Sequence, residues 1–190
     1  MGRWEPNARE RLLRTALDLF VEQGYEATTV NEIAERAGLT KTTFFRHFPE
    51  KREVLFAGQE IHTQILTDAI ATAPDTATPL QAVAAALDAL CATFTEERRE
   101  IGIRLQAVIA ENGELQERAV FKRTRLAAAV TDALLKRGVP DPSASLAAEL
   151  GILAFYQGFE QWARPDGRRA LDELTRQALR DLRAAAAALD

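Results

Sequence analysis

Two helix starts lie eleven positions apart near the N-terminus, and they leave almost no room between them. Thr29 is followed three residues later by Glu32, the spacing of a capping box, in which each side chain satisfies the other's exposed backbone N–H. Val30, Ile33, Ala34 and Ala37 then fall on one apolar helical face, and Gly38 supplies a left-handed stop. Thr40 is the next cap, so only Gly38 and Leu39 lie between the end of one helix and the start of another. A helix of about two turns that meets a second across a tight glycine-containing turn is the sequence form of a helix-turn-helix.

The flanking chain is helical too. Asn7 with Glu10 reads as a capping box for a helix over 8–23, with Leu12, Leu13, Ala16, Leu17 and Phe20 at helical spacing and Gly24 as its stop. The helix after Thr40 is short, Lys41 to His47, closed by Pro49. A longer helix is expected from Lys51 to Ala71, about 30 Å at ~1.5 Å rise per residue. TAPDTATP, residues 72–79, reads as a linker. Beyond it apolar stripes recur through Leu80–Phe94, Ile101–Ile109, Leu115–Arg137, Asp141–Ala163 and Arg168–Leu189. The count is nine helices and no strand. The expected fold is therefore all-α, with a helix-turn-helix domain over 1–50 and a helical bundle over 51–190. Hydrophobic residues make up 47% of the 190, enough for a core in each part.

The stretch KTTFFRHFPEK, residues 41–51, mixes cations, hydroxyls and phenyl rings that neither a core nor a plain surface favours. A helix-turn-helix resolves the mixture, because its second helix enters the major groove with its N-terminal residues at the bases. Phe44 and Phe48, one turn apart, then point inward. Lys41 and Thr42 project toward bases, while Thr40, Thr43, Arg46 and His47 lie near phosphate oxygens. Lys51 meets the DNA backbone with its own charge and the dipole of the helix it opens. The net charge is -4, but residues 1–56 are balanced at nine basic against nine acidic, and within 41–52 only Glu50 opposes four cations. The basic patch is local.

ALDLFVEQGYEATTVNEIAERAGLT and KTTFFRHFPEKREVL resemble the DNA-binding domain of the TetR family of transcriptional regulators. The resemblance covers residues 8–56. It implies DNA contacts for Thr29, Asn31, Thr40, Lys41, Thr42, Thr43, Arg46, His47 and Lys51. Many members of the family carry a tyrosine where this chain has Phe45. A phenyl ring cannot donate to a phosphate, which leaves it to stack on sugar or touch a thymine methyl, and leaves Arg46 to take the phosphate. Arg3 is a candidate basic arm for a minor groove. The resemblance also implies that the C-terminal region binds a small effector and dimerises, so the chain would be a ligand-responsive repressor of a near-palindromic operator. Its partners would then be double-stranded DNA, a small-molecule effector and a second copy of itself. Two readings stay open beside it: a helical small-molecule-binding protein, and a constitutive DNA binder with no effector.

The C-terminal region carries no motif of its own. Phe94, Arg104, Gln106, Phe121 and Arg125 are candidate pocket residues. Arg104 interrupts an apolar run, so it anchors an anionic ligand, pairs with a glutamate such as Glu111, or sits in water. In GILAFYQGFEQWA, residues 151–163, small and large residues alternate at near one-turn spacing. Gly151, Ala154, Phe155, Gly158 and Trp162, with Leu174 and Leu182 of the last helix, form either intramolecular core or a subunit interface. A two-fold interface would hold two recognition helices about 34–36 Å apart. Cys91, the only cysteine, reads as a small core hydrophobe, and a single cysteine excludes an intrachain disulfide. No Ser/His/Asp arrangement, metal-ligand spacing or phosphate-cradling glycine loop appears, so neither enzyme chemistry nor a cofactor or metal is expected. No apolar run approaches the ~20 residues of a membrane span, and the N-terminus has no signal-peptide pattern, so the expected location is cytoplasmic.

Overall fold

The computed structural model describes residues 7–164 and 166–189, and of Glu97 the backbone only. Nine α-helices and no strand are present among these residues: α1 Ala8–Gln23, α2 Val30–Arg36, α3 Lys41–His47, α4 Gln59–Thr72, α5 Pro79–Cys91, α6 Glu96–Ala110, α7 Gly113–Lys136, α8 Ser143–Trp162 and α9 Leu171–Ala187. The chain divides into two compact units. The first holds the chain up to Gly58 together with Arg104–Glu117; the second holds Gln59–Ile103 and the chain from Arg118 onward. The first unit thus runs past residue 50 and recruits the second half of α6.

In the first unit, Leu12, Leu17, Ile33, Phe44 and Phe48 are the large, fully buried side chains of the N-terminal region, with Val54 and Leu115 also enclosed. Two sequence expectations are corrected here. Asn7 adopts a left-handed backbone, φ 80°, and makes no side-chain cap. Its expected partner Glu10 instead binds Arg14 one turn on, at 2.9 Å. The helix expected over 51–71 is two pieces: a 3-10 segment, Lys51–Phe56, and then α4. The tighter 3-10 winding lets the adjacent Val54 and Leu55 both be buried, and Gly58, a poor helix former, lies just before α4.

In the second unit a single core joins α4, α5, α7, α8 and α9 through Leu66, Leu87, Leu134, Ile152, Phe155 and Leu174. Arg137 closes the exposed C-terminal end of α4: its guanidinium donates to the carbonyls of Ile70 at 2.9 Å, Ala73 at 2.8 Å and Pro74 at 2.9 Å. The expected linker is the α4–α5 connection, and Thr78 with Gln81 forms a capping box at its end. Helix α6 begins at Glu96, earlier than its apolar stripe suggested, because Glu-Glu-Arg-Arg-Glu is itself good helix sequence. Asp141 does not open α8 from its first turn; it sits just ahead of Ser143 and accepts hydrogen bonds from the Ser145 N–H and hydroxyl.

The small residues of α8 serve this core. A Cβ on Gly151 would collide with Val83 of α5, and one on Gly158 would lie 2.6 Å from Thr175 Oγ1 and 2.9 Å from the Thr175 backbone nitrogen. Gly151, Ala154, Phe155, Gly158, Trp162 and Leu174 are all buried within the chain's own fold. Leu182 alone of that set is partly exposed. Cys91 is buried and donates to Thr175 Oγ1 at 3.6 Å; burial pushes its thiol up to about 11, so it stays protonated and inert. No described helix is long and apolar enough to cross a membrane.

Candidate nucleic-acid interface

Helix α2 starts on Thr29 as the spacing required. The Thr29 backbone N–H donates to Glu32 Oε2 at 2.7 Å, its hydroxyl donates to the same oxygen at 2.8 Å, and the Glu32 N–H returns a bond to Thr29 Oγ1 at 3.2 Å. Those bonds hold the Glu32 carboxyl below the usual carboxylate range. Asn31, the second residue of the helix, is exposed. Arg36 fastens the other end of α2 to α1 through both oxygens of Glu22, at 2.5 and 2.6 Å.

The turn into α3 has Gly38 at φ 65°, a left-handed conformation that glycine adopts without cost. Arg11 of α1 donates to the Ala37 carbonyl beneath this turn. Thr40 caps α3 by accepting from the Thr43 N–H at 3.1 Å, and the two hydroxyls lie 3.0 Å apart. Phe44 and Phe48 fix the helix from below, ring centroids 5.5 Å apart. The helix also presents Lys41, Thr42, Phe45 and Arg46, all exposed. Asn31, Thr40, Lys41, Thr42, Phe45 and Arg46 therefore share one unit with exposed side chains. Arg3 lies outside the described residues.

Two expected contacts look different in the structure. His47 is half-buried, with Nε2 enclosed and unpartnered, and burial together with Arg46 and Arg9 holds its imidazole below the usual histidine range. Its ring lies beside that of Phe48, centroids 6.4 Å apart. Lys51 turns back into the unit. Its Nζ donates to the Tyr25 carbonyl at 2.7 Å and the Thr28 carbonyl at 2.9 Å, and lies 4.1 Å from the Tyr25 ring centroid. Two of its three N–H groups are thus spent on the α1–α2 loop, and burial lowers its pKa against the pull of Glu26 and Glu114. Nothing in the spacing of Tyr25, Thr28 and Lys51 announces this clamp; only the count of carbonyls left over in a short loop hints at a donor.

The helix-turn-helix is also held from a distant part of the chain. Arg104 of α6 binds Asp18 at 2.5 Å, Asn112 donates to Glu26 at 2.8 Å, and Arg52 donates to Glu114 at 2.8 Å. Arg104 is therefore paired with an aspartate of α1 and not with Glu111. Of the five expected pocket residues, Arg104 and Gln106 belong to the first unit, while Phe121 and Arg125 are exposed on α7. Phe94 instead joins an aromatic group in the second unit. Its ring lies 5.7 Å from Phe155, 5.7 Å from Phe159, 5.9 Å from Trp162 and 5.2 Å from His62. Burial, with Arg98 nearby, lowers the His62 imidazole to about 4, so it is neutral.

Two capped helices across a glycine turn, the second anchored by phenyl rings and carrying an exposed polar strip, have the form of a DNA-reading module, and residues 12–57 match the pattern described as bacterial regulatory proteins, tetR family. Residues 12–57 are a DNA-binding domain of the TetR family of transcriptional regulators. Over 82 residues it is 42% identical to the HTH-type transcriptional regulator TcmR of Streptomyces glaucescens, 43% of this chain and 36% of that protein. It is 35% identical over 128 residues to the HTH-type transcriptional activator FasR of Mycolicibacterium smegmatis, 66% of this chain and 56% of that one. The chain thus spans from about a third to a little over half the length of these curated TetR relatives. The TetR family regulator PfmR of Thermus thermophilus shares the fold along nearly the whole chain: 27% identity, 90% of this chain and 96% of that one, TM-score 0.51.

Proposed function

We propose that this TetR-family chain is a homodimeric repressor that binds a near-palindromic operator and releases it when a small molecule occupies the second unit. The observation that carries the DNA part is the exposed strip Lys41, Thr42, Phe45 and Arg46 on a helix anchored by the buried Phe44. Lys41 and Thr42 read base edges and Arg46 meets phosphate, with Asn31, Thr29, Thr40 and Thr43 framing the site and the third N–H of Lys51 left for the backbone. A bound dimer excludes other proteins from its DNA, so repression is the simplest outcome; the resemblance to a named activator, FasR, favours activation as a second reading. Such a protein works in the cytoplasm and performs no catalysis.

The effector part rests on the family and on the aromatic group around Phe94. A neutral His62 beside Phe94, which itself packs against Phe155, Phe159 and Trp162, suits a largely apolar, flat molecule with one hydrogen-bonding group. Weakening the operator a hundredfold requires about 2.7 kcal/mol of coupling between the two sites. The dimer forms through the outward sides of α8 and α9, since the sides carrying Gly151 and Gly158 are used within the subunit; Leu146, Leu150, Leu153 and Leu182 are apolar side chains left there with some exposure.

Enrichment of duplexes from random-sequence DNA by the full chain tests this reading. A two-fold symmetric sequence with half-site centres one turn apart is expected. Arg46→Ala lowers affinity for all duplexes alike and reduces the salt slope by about one, whereas Lys41→Ala changes which duplexes are enriched. A chain that enriches nothing above bulk DNA is not an operator-binding regulator.

A further inference from the structure

We propose that Phe45 selects a thymine in the operator by packing on its C5 methyl group. The inference rests on the DNA-binding reading above and adds which base feature the recognition helix seeks. Helix α3 and its C-terminal cap bury Phe44 and Phe48, at 0% and 1% exposure, yet leave Phe45 45% exposed. The exposed ring is not loose. It stands edge-on to Phe44, centroids 5.6 Å apart with planes at 83°, so a wholly buried ring braces it. Lys41 lies one turn before it and Thr42 three residues before it, both exposed, which sets the phenyl inside the strip that faces bases.

A phenyl ring has no hydrogen bond to offer a phosphate, and its exposure to water is unfavourable. The one methyl group on any base edge in the major groove is that of thymine. Contact with it excludes water from both surfaces and distinguishes thymine from the other bases. Packing on a sugar is the competing use of the ring, and it carries no sequence information.

The test uses the full chain and the duplexes it enriches from random-sequence DNA. Each thymine is replaced in turn by deoxyuridine, which keeps the base pair and removes only the methyl. At one position in each half-site the unaltered chain is expected to lose about fourfold in affinity, the scale of one buried methyl group. Phe45→Ala binds the thymine and uracil duplexes equally at that position, while Phe45→Leu keeps part of the preference. Uracil substitutions that all leave affinity within about twofold overturn the inference, as does a Phe45→Ala variant that responds as the unaltered chain does. The uracil scan of the unaltered chain decides alone if Phe45→Ala does not fold. Failure to enrich any duplex overturns the DNA-binding reading itself, a result distinct from an enriched duplex indifferent to uracil.

Discussion

Phe44 holds the recognition helix in place more than any other side chain of α3, because it is fully enclosed and touches both Phe45 and Phe48 through its ring. Phe44→Ala is expected to destabilise the first unit by about 3–5 kcal/mol in urea unfolding and to abolish operator binding. Lys51 has a second duty there. Losing its bonds to Tyr25 and Thr28 leaves two loop carbonyls without their charged donor, so Lys51→Met, which keeps the stem, should cost roughly 1–2 kcal/mol of stability. His62 responds to pH. Its folded pKa of about 4 lies below the usual value of 6.5, so the unfolded chain takes up the proton first as pH falls. Its contribution is complete above about pH 6.5 and declines to zero as pH drops to about 4, a loss of at most about 3 kcal/mol. Urea midpoints measured from pH 7 to 4 should fall less steeply in His62→Phe than in the unaltered chain.

At the scale of elements, α8 is set into its neighbours by two glycines of unequal tolerance. Gly151→Ala meets the side chain of Val83, so it should cost about 1–3 kcal/mol, with most of the loss recovered by a second change, Val83→Ala. Gly158→Ala meets the backbone of Thr175, which cannot be trimmed, and should lower the melting temperature more than Gly151→Ala does. Differential scanning calorimetry of the three variants checks the order. The same elements show what a sequence reader can and cannot see. The caps at Thr29 and Thr40 are legible because a cap and its partner lie three residues apart. The bond from Arg104 to Asp18 spans 86 positions and the clamp of Lys51 on Tyr25 spans 26, so periodicity carries no trace of either. The small–large alternation of α8 is visible, but whether it serves this subunit or a second one depends on which helix lies opposite. The side chains of the reading strip are legible individually; the inward turn of Lys51 and the enclosure of His47 are not, since both follow from burial.

For the whole molecule, the proposed dimer makes a concrete demand. Leu146, 57% exposed on the outward side of α8, is the apolar residue whose exposure association would remove. Leu146→Glu combined with Leu153→Glu should give a monomer in analytical ultracentrifugation and weaken operator binding at least about tenfold, the scale of losing one half-site's contribution, with the helical content of the chain unchanged. Helix α6 sets a limit of another kind. It is continuous from Glu96 to Ala110, yet its first half belongs to one unit and its second half to the other. A fragment cut after Gly58 would lack Leu115 and the partners of Asp18, Glu26 and Arg52. The helix-turn-helix of this protein is therefore not a detachable head: order along the chain and order in space disagree, and a protease nick at residue 58 would not set it free.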